Sequence, residues 1–224
     1  MKKLSGQRQS AVRLNRENVV AAASDLIRRD GIEGWSMRAL SRELSVSVST
    51  LYWHVRNEQD LLGMVIDEAL AAIVVADTPD WRAGIADFLL QARRLLCEYP
   101  ALVRLIWRSG WQLGPRTLRV TNDFLGLVAR SGIAEDEVAD AYYLLVAFLF
   151  GFVLMETQSP DTPDFVAERG ASSSAAVPAL DHLARYSPAA DAAGMDRRFA
   201  FGVERLLNSL ERGSAAAERP GAVG

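Results

Sequence analysis

Apolar residues recur at helical spacing along most of the chain, and no stretch alternates apolar and polar residues as a half-buried strand would. The pattern predicts helices near residues 15–31, 36–44, 47–55, 60–75, 81–98, 100–108, 115–130, 135–156, 178–186 and 196–211. We therefore expect an all-α fold, with an N-terminal three-helix unit followed by a larger helical body.

Two short helices with an abrupt turn between them form the centre of the N-terminal unit. They begin at Ser36 and Ser47, whose hydroxyls can accept hydrogen bonds from free first-turn amides. Residues 45–46 form the turn. Positions three and four apart share one helix face, and the inner faces comprise Met37, Leu40, Leu44, Val48, Leu51 and Val55. This arrangement is typical of a helix-turn-helix.

The outer face of the second short helix indicates its function. Ser49, Thr50 and Trp53 point outward, with Tyr52 and His54 on the flanks. An ordinary surface helix would carry Glu and Lys there, whereas a helix that enters the major groove needs slim residues and hydrogen-bonding flanks. The pattern favours DNA recognition over a merely solvated helix.

Charge is distributed unevenly along the chain. The net charge is −3, but residues 1–56 contain ten Lys/Arg and five Asp/Glu, a net charge of +5, which leaves −8 for the rest. A basic head on an acidic body suits attraction to phosphates at one end only.

Composition excludes several other classes of protein. Cys97 lies in an apolar helical run, where we expect a buried small side chain, and one cysteine with two histidines provides neither a disulfide framework nor a metal cluster. No cofactor is expected. The start of the chain shows no signal-peptide pattern, and the longest apolar run, 141–155, is shorter than the roughly 20 residues that span a bilayer. We expect a soluble, cytoplasmic protein.

The chain divides into four segments on this basis. Residues 1–14 are predicted to form a flexible basic arm, 15–58 a DNA-binding domain, 59–211 a helical domain with a mobile loop at 157–177, and 212–224 a disordered tail. Within the body, residues 142–155 are apolar on all sides, so that helix must be covered by its own domain and by a partner subunit.

A family resemblance follows from these residues. Residues 14–62 resemble the DNA-binding head of the TetR family of bacterial repressors, and Tyr52-Trp53-His54-Val55 resembles its tetracycline repressor branch in particular. Residues 199–204, FAFGVE, resemble the start of that branch's last helix. The resemblance implies an all-α homodimer joined by a four-helix interface, a palindromic operator, and release from DNA when a small molecule binds. By matching position, the DNA contacts would be Arg38, Ser47, Val48, Ser49, Thr50, Tyr52, Trp53 and His54.

Departures from the family pattern concern the effector. Tetracycline-sensing members hold the drug and its magnesium ion with a histidine, an asparagine and a glutamate of the partner subunit, and the matching positions here are Val74, Phe88 and Met155. None of these supplies the oxygen donors that magnesium demands. We therefore expect a largely apolar organic effector that binds without metal. Glu58 is a second departure, because it occupies the place of a basic phosphate-contacting residue.

Several side chains could contact such an effector. Aromatic residues at helical spacing could line a cavity or simply form the core, while Arg104 and Arg108 could hold a ligand anion or form surface salt bridges. Tyr142 and Tyr143 are further aromatic candidates. The predicted effector set is Val74, Phe88, Arg104, Trp107, Arg108, Trp111, Gln112, Phe124, Phe148, Phe152 and Met155.

The sequence thus predicts a homodimeric, ligand-responsive repressor without catalytic activity. One alternative is an activator or constitutive repressor that lacks an effector. Another is a helical enzyme, although the sequence offers no convergent acid, base and nucleophile.

Overall fold

The computed structural model describes residues 14–108, 114–157 and 192–217, and all regular secondary structure in those ranges is helical, as predicted. The helices are α1 (Arg16–Asp30), α2 (Met37–Glu43), α3 (Val48–Leu51), α4 (Glu58–Leu70), α5 (Trp81–Glu98), α6 (Ala101–Arg108), α7 (Pro115–Ala129), α8 (Val138–Thr157) and α9 (Ala192–Ala217). A short 3₁₀ turn, Glu135–Glu137, precedes α8. The predicted helix at 178–186 lies outside the described residues, as do 1–13 of the predicted arm, 158–177 of the predicted loop and 218–224 of the predicted tail.

Local capping explains where four helices begin. The side chains of Asn15, Ser36, Ser47 and Asp80 accept hydrogen bonds from the amides of Asn18, Ala39, Thr50 and Ala83, at distances of 2.8–3.1 Å. Each bond satisfies a first-turn amide that has no partner within its own helix. These starts agree with the sequence prediction.

The helix α4 differs from its prediction at both ends. It begins at Glu58 because Asn57, not a later residue, accepts the capping bond from the amide of Asp60 at 2.7 Å. It ends at Leu70 instead of residue 75. Beyond that end, the backbone N–H of Val74 donates to Oε1 of Gln91 at 3.2 Å, and Nε2 of Gln91 donates to the carbonyl oxygen of Val74 at 3.0 Å, so Val74 bonds to a side chain of α5 instead of continuing the helix.

Spacing along the sequence predicts one contact face for α4, made of Leu61, Met64, Val65, Glu68, Ala69 and Ala72, and the observed buried face is rotated from it. Leu61, Leu62, Val65 and Ile66 are buried, whereas Glu68, predicted on the contact face, is exposed. The helix packs against α1 on the head side and against α6 and α7 on the body side, so it joins the two regions.

The last helix is longer than predicted. α9 continues to Ala217, so residues 212–217 are helical where the sequence predicts a tail. Arg82 of α5 donates to side chains on successive turns of α9, those of Glu204, Asn208 and Glu211. This contact stabilises the helix just before the alanine-rich end, which favours helix by itself.

The helix α8 is only partly covered by its own chain. Ala141, Leu145, Leu149 and Val153 face the interior, while Tyr143 is 68% exposed and Met155 69%. The apolar run at 141–155 lies within a longer helix that could cross a membrane by length and composition alone, and most of it is not buried within the protomer. An exposed apolar face of this size is typical of an interaction surface.

Candidate DNA-binding surface and effector cavity

A tight turn joins α2 to α3. Ser45 adopts a φ of 55°, in the left-handed region that costs most residues energy. The next amide, of Val46, donates to the carbonyl oxygen of Ser41 at 2.9 Å, which closes the turn. The turn directs the chain into Ser47, the residue that caps α3.

The helix α3 is a single turn held by hydroxyl groups and one buried leucine. The Ser47 hydroxyl oxygen lies 2.7 Å from that of Ser49 and 2.7 Å from that of Thr50. Leu51 is fully buried. Residues 52–54 continue as a turn instead of the predicted longer helix, and the amide of His54 donates to the Leu51 carbonyl oxygen at 2.9 Å.

Aromatic side chains dominate the solvent side of this unit. Trp53 is 87% exposed and Tyr52 49%, and neither belongs to the core. Of the other residues that the sequence predicts to contact DNA, Arg38, Ser47 and Ser49 are exposed, while Val48, Thr50 and His54 are half-buried. All eight lie on α2, on α3 or within three residues of α3; their contact with DNA stays a prediction.

Glu58 is held within the protein at the start of α4. Its Oε1 accepts a hydrogen bond from the indole Nε1 of Trp35 at 3.1 Å and another from Nη2 of Arg108 at 3.0 Å. Trp35 is buried, so the carboxylate anchors the head to α6. This role accounts for an acidic residue at a position where the family resemblance predicts a basic one.

Arg104 also contacts the head, one helical turn before Arg108. Its Nη1 pairs with the carboxylate of Glu33, in the segment between α1 and α2. Nearby, the hydroxyl of Tyr99 donates to the carbonyl oxygen of Ser24 in α1 at 3.1 Å. The structure therefore shows the ion pairs left open by the sequence, and neither arginine lines the cavity described next.

An apolar cavity of about 90 Å³ lies inside the body. The rings of Phe88 and Phe124 stack beside it with centroids 3.8 Å apart. The lining residues are Ile66, Leu70, Ile73, Phe88, Ala92, Leu96, Ile106, Thr117, Val120, Thr121, Phe124, Tyr142, Val146, Leu149 and Phe150. No charged side chain is among them.

The other candidate effector residues lie elsewhere. Val74 is 67% exposed and Trp107 61%, and Met155 lies on the exposed side of α8. Phe148 and Phe152 pack against Phe199, with ring centroids 5.5 and 5.1 Å from it. Trp111 and Gln112 are outside the described residues.

The sequence prediction missed the two threonines of the cavity wall. Thr117 and Thr121 are four residues apart on α7, and Phe124 follows three residues later. That spacing places all three on one helix face. Helical spacing from Phe124 could therefore have identified the two threonines, whereas a search for aromatic residues could not. Among the described residues, no group of three or more His, Cys, Asp or Glu is placed to hold a metal ion.

Known families and proteins match this chain over both regions. The family model described as "Bacterial regulatory proteins, tetR family" matches residues 19–65, and that described as "Tetracyclin repressor-like, C-terminal domain" matches residues 76–213. An HTH-type transcriptional regulator of Saccharopolyspora erythraea is 29% identical over 64% of this chain, an alignment that spans 61% of that relative's length.

Two further matches, one in sequence and one in fold, cover nearly the whole chain. The tetracycline repressor protein class A from transposon 1721 of Escherichia coli is 28% identical, over 89% of this chain and 92% of its own. The crystal structure of Streptomyces coelicolor ActR in complex with actinorhodin has a TM-score of 0.78 at 24% identity, over 90% of this chain and 98% of its own. Because the C-terminal family model alone covers more than half of the chain, the protein belongs to the TetR family of DNA-binding transcriptional regulators and is not an enzyme.

Proposed function

We propose that this regulator represses transcription as a cytoplasmic homodimer on a palindromic operator, and that a small, largely apolar organic molecule releases it. Residues 15–58 would bind the DNA, with Arg38 and the residues on and around α3 in contact with it, and residues 59–211 would bind the effector and the partner subunit. The observation that carries the proposal is the uncharged cavity, which abuts α4, the helix that leads out of the head.

The dimer interface that we propose combines α8 with α9. These helices pack on each other and still expose large apolar side chains, including Tyr143 and Leu144 on α8 and Phe201 on α9. Soluble monomers rarely leave such groups together on the surface, and a symmetric partner would bury them. Sedimentation equilibrium should give twice the protomer mass of 24.5 kDa.

A symmetric dimer requires a symmetric operator. Two recognition helices related by a twofold axis meet successive major-groove faces about 34 Å apart, or a multiple of that distance. Footprinting on DNA selected from random duplexes should therefore show two related protected half-sites. One asymmetric half-site protected at saturating protein would contradict the dimeric model.

The chemistry of the cavity defines the class of effector. Phe88, in place of a metal-drug ligand, lines the cavity and offers only apolar surface. Burial of apolar area contributes about 25 cal/mol per Å², whereas a hydrated ion would lose water contacts that this lining cannot restore. Thr117, Thr121 and Tyr142 are the polar lining groups and are suited to an uncharged ligand.

The size of the cavity explains how a ligand would act. About 90 Å³ is well below the roughly 300–1,000 Å³ typical of pockets for drug-sized ligands, so binding must move the surrounding helices. A ligand that fits only the expanded state shifts the population toward it, and equal affinity for both states would shift nothing. Release from DNA follows if the expanded state places α4, and with it the head, differently.

The test is release of the protein from its selected operator by a panel of uncharged hydrophobic compounds, with and without excess EDTA. We expect equal release in both conditions, and Phe124→Ala should alter the concentration required. Loss of release in the presence of chelator would overturn the metal-free effector. If no compound raises the thermal transition or releases DNA, the alternative of a regulator without an effector is favoured.

A further inference from the structure

The carboxylate of Asp67, on α4, caps a helix to which it does not belong. Its Oδ1 accepts three hydrogen bonds from the first turn of α7: from the amide of Arg116 at 2.9 Å, the amide of Thr117 at 2.8 Å and the hydroxyl of Thr117 at 2.9 Å. One side chain of the helix that leads out of the head thus holds the beginning of a helix in the body.

The start of α7 and the carboxylate of Asp67 are complementary in shape and charge. The N-cap position of α7 is Gly114, which has no side chain to satisfy the first-turn amides, and a carboxylate is favoured near those positively polarised groups. A Cβ atom at position 114 would lie 2.3 Å from Cγ of Asp67, so glycine leaves the space that the carboxylate occupies. A side chain at position 114 would displace the Asp67 carboxylate from its position at the first turn of α7.

The same contact forms part of the cavity wall. Thr117 is 5% exposed and lines the cavity while its hydroxyl donates to Asp67. On α4, Ile66 and Leu70, which flank Asp67 in the sequence, line the cavity as well. Asp67 therefore joins the two helices at a corner of the cavity that a ligand would have to enlarge.

We infer that Asp67 is the positioning residue through which expansion of the effector cavity moves α4 and the DNA-binding head. The inference rests on the proposed function, because it specifies how the proposed effector site is regulated. The first turn of α7 cannot move away from the cavity without either breaking three hydrogen bonds or carrying α4 with it. At the N-terminal end of α4, Glu58 accepts a hydrogen bond from the indole of Trp35, which is buried in the head.

The experiment fills the cavity with a side chain, so it needs no identified ligand. Ala92 of α5 is 2% exposed and lines the cavity, and Ala92→Leu should force the walls apart as a ligand would. Operator affinity of the full-length protein is measured by fluorescence anisotropy for the wild type, Ala92→Leu, Asp67→Ala and the double variant. The probe is the duplex selected by the wild-type protein.

Non-additivity is the expected result. In the wild-type background, Ala92→Leu should weaken operator binding by about tenfold, which is a typical size for coupling between two sites. In the Asp67→Ala background, the added Ala92→Leu substitution should change operator affinity by less than about threefold. A change of that size is within the error with which independent sites add. Hydrogen exchange at the amides of Arg116 and Thr117 should accelerate in Asp67→Ala, because both amides lose their acceptor.

Two controls separate coupling from loss of structure. Glu68→Ala removes the neighbouring carboxylate, which is exposed on α4, and should preserve the full effect of Ala92→Leu. Thr117→Val removes one of the three bonds and should reduce the effect only in part. Thermal unfolding checks that each variant is folded, and Ala92→Val replaces Ala92→Leu if the larger side chain prevents folding.

The possible failures are distinguishable. An equal penalty from Ala92→Leu with and without Asp67 would overturn the role of Asp67 but leave the cavity as the effector site. Unchanged operator affinity in Ala92→Leu itself, in a folded protein whose cavity is filled, would overturn both, because the cavity would then have no connection to the head.

Discussion

The guanidinium of Arg93 lies against the carboxylate of Glu156, with Nε 2.8 Å from Oε2 and Nη2 2.6 Å from Oε1. This pair joins α5 to the end of α8. A third bond, from Nη1 of Arg93 to Oδ1 of Asp196 at 2.8 Å, adds α9, and the guanidinium also lies over the ring of Phe199 at 4.8 Å. Three helices of the body therefore meet at one buried arginine.

The single cysteine lies beside this pair and is not activated by it. The Sγ of Cys97 is 3.4 Å from Oε2 of Glu156, and burial raises the pKa of the Cys97 thiol to about 11. The thiol therefore stays protonated near neutral pH, where it is a poor nucleophile and metal ligand. The side chain is half-buried and its thiol contacts a carboxylate, so it differs from the buried small hydrophobic side chain that the sequence predicts.

Replacing the buried arginine should destabilise the protein severely. Arg93→Ala leaves the Glu156 carboxylate without its bidentate partner, and because that carboxylate is only partly buried, the cost should be about 2–3 kcal/mol, below the roughly 3–5 kcal/mol of a fully buried pair. The free energy of unfolding, measured with urea at fixed protein concentration, should fall accordingly. Arg94→Ala, at the exposed neighbouring position, should stay within about 0.5 kcal/mol of the wild type; equal losses in the two variants would contradict the role of the pair.

The same pair predicts a dependence of stability on pH. Hydrogen bonds from Arg93 hold the pKa of Glu156 below its ordinary value of 4.5. A carboxylate whose pKa is lower in the folded state stabilises the protein above the unfolded pKa, and this stabilisation is lost as pH falls through the folded pKa. Below pH 4.5 the wild type should lose stability more steeply than Glu156→Gln. Parallel pH profiles of thermal unfolding for the two proteins would refute this linkage, and Glu98→Gln is the exposed control.

The two exposed aromatic residues after α3 should differ in their effect on DNA binding. Trp53→Ala should relax base preference at the operator and cost about 1–3 kcal/mol, because a groove contact carries sequence information. Tyr52→Phe should weaken all sites alike, because a phosphate contact carries none. Selection from random duplexes and anisotropy titrations measure these effects. Both variants should keep the wild-type thermal transition; its loss in Trp53→Ala would place the indole in the core.

Close packing of α9 on α8 depends on one glycine. A Cβ atom at Gly202 would lie 2.4 Å from the ring of Phe148, so Gly202→Ala should destabilise the protein by about 1–3 kcal/mol through overpacking. Gly126→Ala is the matched helical control, because its Cβ would meet only the end of Arg130, at 3.8 Å. That variant should gain up to about 1 kcal/mol in the free energy of unfolding from helix propensity. A gain in both variants would show that α8 and α9 can separate without cost.

Helix class and most helix starts were predictable because they depend on neighbours in the sequence. Ser36, Ser47 and Asp80 cap their helices through bonds to amides three residues ahead, and such contacts exist whatever the rest of the chain does. The helical phase counted from Leu51 predicts an exposed Trp53, and Trp53 is exposed although residues 52–54 form a turn after the helix. The exposure of the candidate DNA-binding surface was therefore predictable from local sequence, whereas its contact with DNA stays a prediction.

Contacts between residues distant in the sequence determined the features that were not predicted. Gln91 ends α4 early by binding the backbone of Val74, and Asp67 caps α7 from about fifty residues away in the sequence. Periodicity could not decide whether Arg108 binds a ligand or forms an ion pair. The structure shows the ion pair, with Glu58. Spacing along one helix specifies which side chains share a face, but only the packing of several helices specifies what that face meets, and the cavity exists only where five helices leave space between them.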